Sequence, residues 1–386
     1  MWGRGFRPFF LLVGLYGCGG VLAWIAMLLG FAPAPGWLGP TAWHGHEMLF
    51  GVVAAAVAGF LLTSVPVWTG TKAVAGGRLA ALAGLWVAGR LALLGAGALP
   101  SWAVAAVDLL FVPALAGTIA GPLLAAGAVR NLGFVPILLV LFGSNLRMHA
   151  QAVGLTASGA SGALRVGVDL VVVLIVIVGG RITPSFTANA LKRSGSVAPI
   201  SVRPWLDRAA IAGVVLVAAL DVAAPRTALG GCAALLAGAL VAGRMLGWQS
   251  LRTVHDPLLW SLHVGYAWIP VGLLLVGIGD LTQAVPQVAG LHALTAGAMG
   301  AMILAVMTRV SLGHTGRPLV LPRGAAAAYG LVNVGALVRT AGPILAPGLH
   351  LPVLAVAGVS WGGAFGLFVV LYWRILTRPR VDDRPG

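Results

Sequence analysis

The run Val166-Gly167-Val168-Asp169-Leu170-Val171-Val172-Val173-Leu174-Ile175-Val176-Ile177-Val178-Gly179-Gly180 carries one ionisable side chain in fifteen residues. Continued to its polar ends it fills residues 165–188. Roughly 20 apolar residues are enough to cross the hydrocarbon core of a bilayer, so this stretch reads as a membrane-crossing helix.

Working outward, the same pattern recurs. Apolar runs of about the required 20 residues lie near 9–30, 45–66, 79–98, 102–124 and 133–149 on the N-terminal side. On the C-terminal side they lie near 208–224, 227–247, 258–279, 290–309, 324–345 and 351–375. The expected fold is therefore an all-α integral membrane protein, a single polytopic domain over residues 1–386 with about twelve transmembrane helices and short connections. Composition agrees. Hydrophobic residues make up 59% of the chain and charged residues 9%, against roughly 25% charged in soluble domains. Its 56 glycines fit helices that pack closely where lipid removes the hydrophobic drive.

The net charge of +15 would suggest nucleic acid in a soluble protein. Here it is topological, and the expected partner is the lipid bilayer, with no nucleic acid. With both termini in the cytoplasm, all but six of the 24 Lys and Arg residues fall on the inner side, as basic loops do. The six are Arg90, Arg147, Arg165, Arg181, Arg226 and Arg339. Arg4 and Arg7 precede the first run like the start of a signal sequence, but the run is long and others follow, so it reads as a helix. Cys18 and Cys232 lie inside apolar runs, and no C-x-x-C-H segment is present, which excludes covalent c-type haem.

One internal repeat is visible. At a constant offset of 246, His46 matches His292, Gly51 matches Gly297, Thr69-Gly70 matches Thr315-Gly316, and Gly84-Leu85 matches Gly330-Leu331. The related segments are 44–90 and 290–336, in the same orientation, and their spacing suggests parallel four-helix units about an axis along the membrane normal.

Ionisable residues inside a membrane are costly to bury and point to function. The first group is Trp43-His44-Gly45-His46-Glu47-Met48, containing the only Glu of the chain. His149 and His292 are expected at the same outer depth. Imidazoles ligate haem iron and copper. His44 and His46 differ by about 200° on an ideal helix, so one metal takes both only if residue 45 lies in a turn. As repeat mates, His46 and His292 are candidates for the two axial ligands of one haem. Glu47 is the candidate catalytic carboxylate. A second, basic group lies toward the cytoplasm: His263, Arg181, Arg309, His314 and Arg317. These suit haem propionates, a quinone head group or another anion. Arg90 and Asp108 lie nine residues either side of Leu99; across one helical hairpin they should meet as a buried ion pair.

Several runs together resemble the NnrS family: Phe6-Arg7-Pro8-Phe9-Phe10, the Trp43–Met48 segment, Ala58-Gly59-Phe60-Leu61-Leu62-Thr63, Trp68-Thr69-Gly70, Gly179-Gly180-Arg181-Ile182-Thr183-Pro184-Ser185-Phe186-Thr187 and Ser311-Leu312-Gly313-His314-Thr315-Gly316-Arg317. Their order matches along nearly the whole chain. The resemblance implies a bacterial inner-membrane protein that binds non-covalent, b-type haem and copper and is linked to denitrification and nitric oxide tolerance. The histidines on the family pattern are His44, His46, His149, His263, His292 and His314. The chain is also distantly similar to the haem–copper oxidase core subunit, whose twelve helices carry haem-ligating histidines on helices 2 and 10. It departs from that pattern in helix 6, which has no histidine, so an oxidase copper site does not transfer.

Three readings follow. A haem–copper protein would bind or reduce nitric oxide, taking electrons from quinol or a donor protein. A multi-pass transporter would move substrate with no haem. A haem-dependent sensor or assembly factor would bind the metals without turnover.

Overall fold

The computed structural model describes residues 1–193, 195 and 199–382; Arg384, counted above with the inner basic residues, lies outside them. No strand occurs among the described residues. Ten helices are long and apolar enough to cross a membrane. They are α1 (Phe6–Leu28), α2 (Pro40–Thr69), α3 (Gly76–Leu94), α4 (Ser101–Ala125), α5 (Val129–Ala152), α6 (Ala160–Arg193), α8 (Ala228–Trp248), α9 (Pro257–Thr282), α10 (Gln287–Gly313) and α12 (Pro347–Thr377). Two further helices occupy the other expected positions, α7 (Pro204–Ala223) and α11 (Ala325–Leu345). The count by length and composition is thus ten where the sequence suggested twelve. The reason is local: α7 carries Asp207, Arg208 and Asp221, and α11 carries Asn333 and Arg339 among small residues.

Three helices depart from regular α geometry where it matters. In α4 the helix pauses at Leu109-Leu110, between segments Ser101–Asp108 and Phe111–Ala125. Pro113 lies four residues after Leu109; its ring clashes with the carbonyl there and it donates no hydrogen bond. Asp108 therefore sits at a bend. In α2 the turn Glu47–Val53 is a π-helix, and in α10 so is Ala293–Met299. Such widened turns often mark functional positions.

The chain divides into two compact units, with boundaries inside α6, α10 and α12. The first holds residues 1–167, 310–319 and 365–386. In it α2 packs between α1 and α4, and α4 also meets α3 and α5. Its core is aromatic, with Phe6, Phe9, Phe10, Phe365, Phe368 and Tyr372 all buried. The second unit holds residues 168–309 and 320–364. In it α8 packs between α7 and α9, and α10 between α9 and α11. The α8–α9 contact is close: a Cβ on Gly277 would lie 2.8 Å from the Gly231 carbonyl oxygen, as small residues permit. Leu91, Leu124, Leu236, Val359 and Val370 stay exposed, an apolar surface suited to acyl chains.

Candidate metal centre

Within the first unit, a set of polar side chains from five helices is closed off from solvent. Glu47 begins the π-turn of α2 and His46 precedes it; both are 0% exposed. Glu47 Oε1 accepts from Arg90 Nη1 at 2.7 Å and lies 2.8 Å from His46 Nδ1. Its other oxygen accepts the Tyr16 hydroxyl of α1. Arg90 reaches from α3 to both acids, because its Nη2 also pairs with Asp108 Oδ1. Asp108 Oδ2 accepts from Asn145 Nδ2 at 2.8 Å, and lies 2.9 Å from His149 Nε2 and 3.2 Å from His46 Nε2. Asn145 and His149 stand four residues apart on α5, hence on one face. Asn145 Oδ1 completes the ring at 2.8 Å from His46 Nε2.

Local packing holds this arrangement. A Cβ on Gly89 would fall 2.8 Å from Asp108 Oδ1, so only glycine at that position lets α3 and α4 approach closely enough for the carboxylate to reach Arg90. The Trp86 indole donates to the Gly51 carbonyl of the π-turn at 3.0 Å, a carbonyl that also accepts from the Ala54 N–H. Trp86 also stands 5.8 Å under the Arg90 guanidinium. Trp37 closes the other side, its ring 4.9 Å from that of His46 and 5.4 Å from that of His149.

The charges are informative. Arg90 supplies one positive charge against two carboxylates. Both ring nitrogens of His46 face acceptor oxygens, so one further positive charge completes the network, either a second ring proton or a metal ion. One ligand atom each from His46, Asp108 and His149 lies within 4.8 Å of the others, all buried. Tetrahedral bonds of roughly 2.0 Å place ligand atoms about 3.3 Å apart, close to the two contacts made by Asp108 Oδ2. His149 Nδ1 has no hydrogen-bond partner. The donors are imidazole and carboxylate, with an amide oxygen beside them. This set suits copper(II), zinc or iron(II), and not the thioether chemistry that favours copper(I).

The remaining candidates fall elsewhere. The His44 ring stacks on Trp24 at 3.9 Å, a contact separate from the one His46 makes two residues on. His314, just past the end of α10, has its carbonyl held by Arg380 Nη1 at 2.7 Å. Burial, reinforced by the cations of Arg4 and Arg380, pushes its imidazole below the usual range. In the second unit, His263 lies 2.8 Å from Thr187 Oγ1 and 2.8 Å from Ser250 Oγ. Both nitrogens thus face hydroxyls. His292 Nδ1 donates to the Val288 carbonyl at 2.8 Å, the kind of bond that orients a ligating imidazole. Arg309 is buried over the Phe186 ring at 4.3 Å, while Arg181 is exposed. Sequence reasoning paired Arg90 with Asp108 correctly but set them apart from the histidines. It missed Tyr16 and Asn145; the i−4 relation of Asn145 to His149 was the available signal.

Fold and site together define a multi-pass α-helical membrane protein with a buried histidine–carboxylate centre. The NnrS protein family model matches residues 1–380. The chain belongs to the NnrS family, which relates it to nitric oxide. No curated protein matches it.

Proposed function

We propose that this chain is a bacterial inner-membrane metalloprotein that binds nitric oxide at a metal held by His46, Asp108 and His149. The observation that carries this reading is the closeness of three buried ligand atoms beside a guanidinium that offsets their charge. Copper is the metal the family resemblance favours; two imidazoles and one carboxylate equally suit non-haem iron(II), which has open positions for a diatomic ligand. When bound, the metal supplies the site for nitric oxide. The protein's own part is to hold His46 through Glu47 and Asn145, to fix Asp108 through Arg90, and to exclude water with Trp37.

Haem belongs, in this reading, to His292, whose Nδ1 is already oriented. This reading assigns His46 to the non-haem metal with Asp108 and His149, so one haem ligated jointly by His46 and His292 is not part of it. Twelve crossings with both termini inside are favoured too. Asp207 of α7 is paired with Arg244, 2.8 Å from its Nη2, which lowers the cost of placing α7 in lipid.

The test is the metal content and Soret absorbance of the purified protein. Wild type should hold about one non-haem metal per chain, as this single site requires. His46→Ala/His149→Ala should lose it and keep the Soret band, and His292→Ala should do the reverse. A wild type with neither metal nor haem sinks this reading and favours a transporter. Nitric oxide loss with quinol or another reductant present separates reduction from binding alone, the behaviour of a sensor or assembly factor.

A further inference from the structure

At one end of the first unit, away from the centre described above, four guanidiniums and one imidazole converge. Arg7, in the first turn of α1, is 2% exposed. Its Nη1 donates to the carbonyls of Leu376 at 2.9 Å and Arg378 at 2.5 Å, capping the C-terminal end of α12, where free carbonyls and the helix dipole favour a cation. Its Nε and Nη2 meet no protein acceptor among the described residues. Arg380 bonds the His314 carbonyl and grips Asp382 with Nε at 2.7 Å and Nη2 at 2.5 Å. The Val381 amide donates to the Thr315 carbonyl at 3.2 Å, which fixes residues 380–382 against the Leu312–Arg317 segment. Arg317 Nη1 is buried there with no acceptor among the described residues. Arg7 lies within electrostatic range of Arg317 and Arg380, and His314 of Arg4 and Arg380.

Topology alone accounts for basic residues on wet loops. It does not account for guanidiniums gathered into partly buried positions with unused N–H groups. Like charges repel at this spacing, and each buried donor without an acceptor is destabilising. The one carboxylate bonded to the group among the described residues, Asp382, is already committed to Arg380. An anion with several acceptor oxygens, able to face more than one guanidinium fork, would relieve both costs. Phosphate has that geometry.

We propose that Arg4, Arg7 and Arg317, around His314, form a binding site for a phosphate group, either free inorganic phosphate or the head of an anionic phospholipid.

The experiment uses the full-length protein in phosphate-free maltoside micelles, reading the midpoint of thermal unfolding. One arm adds inorganic phosphate, with chloride at equal ionic strength as control. The other adds phosphatidylglycerol to the micelles. The wild-type midpoint should rise in at least one arm and not with chloride. A rise with inorganic phosphate identifies the free ion as sufficient; a rise with the lipid alone identifies the headgroup. Arg317→Gln should weaken the response at least tenfold in concentration. Without added anion its midpoint should equal or exceed that of wild type, because a repelling charge is gone. That outcome also separates lost binding from damaged folding. No rise in either arm, or the same rise in Arg317→Gln, overturns the proposal.

Discussion

Two turns of the molecule share a backbone conformation and differ in the charged side chains around it. In the first unit, Pro40 opens a helix, His46 follows, and Glu47–Val53 forms a π-turn. In the second, Pro286 precedes the helix, His292 follows, and Ala293–Met299 forms a π-turn. Every one of these positions is separated by the same 246 residues. Each turn also has a carbonyl covered by an indole, Gly51 by Trp86 and Ala296 by Trp361 at 3.1 Å. The polar shell occurs once. At the same offset, Glu47 is replaced by Ala293, Arg90 by Ala336, Asp108 by Leu354 and Tyr16 by Leu262, all four buried. The widened turn is thus present at both positions, and this charge cluster surrounds one of them. The two histidines should therefore do different chemistry.

The sharpest way to break this contrast is Asp108→Ala. It strips Arg90, His149 and Asn145 of a shared acceptor, and losing one partner of a buried pair costs roughly 3–5 kcal/mol. Denaturant unfolding in micelles should show that loss together with loss of the bound metal. Leu354→Ala, at the matching offset, should destabilise by about 2–5 kcal/mol through a cavity and leave the metal in place. Equal metal loss in both would show that the centre depends on general packing. Next comes Gly89→Ala. Its added methyl pushes on Asp108, so metal affinity should fall about 10–100-fold, with about 1–3 kcal/mol of overpacking strain; a metal titration that matches wild type would refute the close-approach argument. The smallest effects belong to Trp86→Phe and Trp361→Phe. Each removes an indole donor from a π-turn carbonyl, for about 1 kcal/mol. Similar losses in the two variants would support a common scaffold; a much larger loss for Trp86→Phe would tie its indole to the Arg90 cluster instead.

Position along a helical hairpin was readable from the sequence, and rotation about each helix was not. Arg90 and Asp108 were paired because they are equidistant from Leu99, a purely axial argument. That His46 and His149 would face each other, and His44 would turn to Trp24, depends on helix phase. The phase is set by the bend at Pro113 and by the π-turn, and neither announces itself in composition. Tyr16 was invisible for the same reason, since nothing in the spacing of α1 relates it to Glu47. The hydroxyls of Thr187 and Ser250 that meet His263 come from 76 and 13 residues away, a pairing no local spacing reveals. At α7 and α11 alanine and glycine keep a segment apolar in tone, while the charged residues it carries take it below what length and hydropathy require.

The π-turn at Glu47–Val53 has a consequence for how the protein tolerates change. Relative to an α-helix it contains one residue too many, and one residue corresponds to about 100° of helical rotation. Deleting a single residue from this turn would shorten α2 by only about 1.5 Å, less than the width of an atom. Because the widened turn already absorbs that residue, the deletion would return it to α geometry and leave the flanking segments close to their present phase. A deletion inside the turn should therefore be tolerated better than one on either side of it, where nothing takes up the rotation of about 100° and His46 would swing away from Asp108.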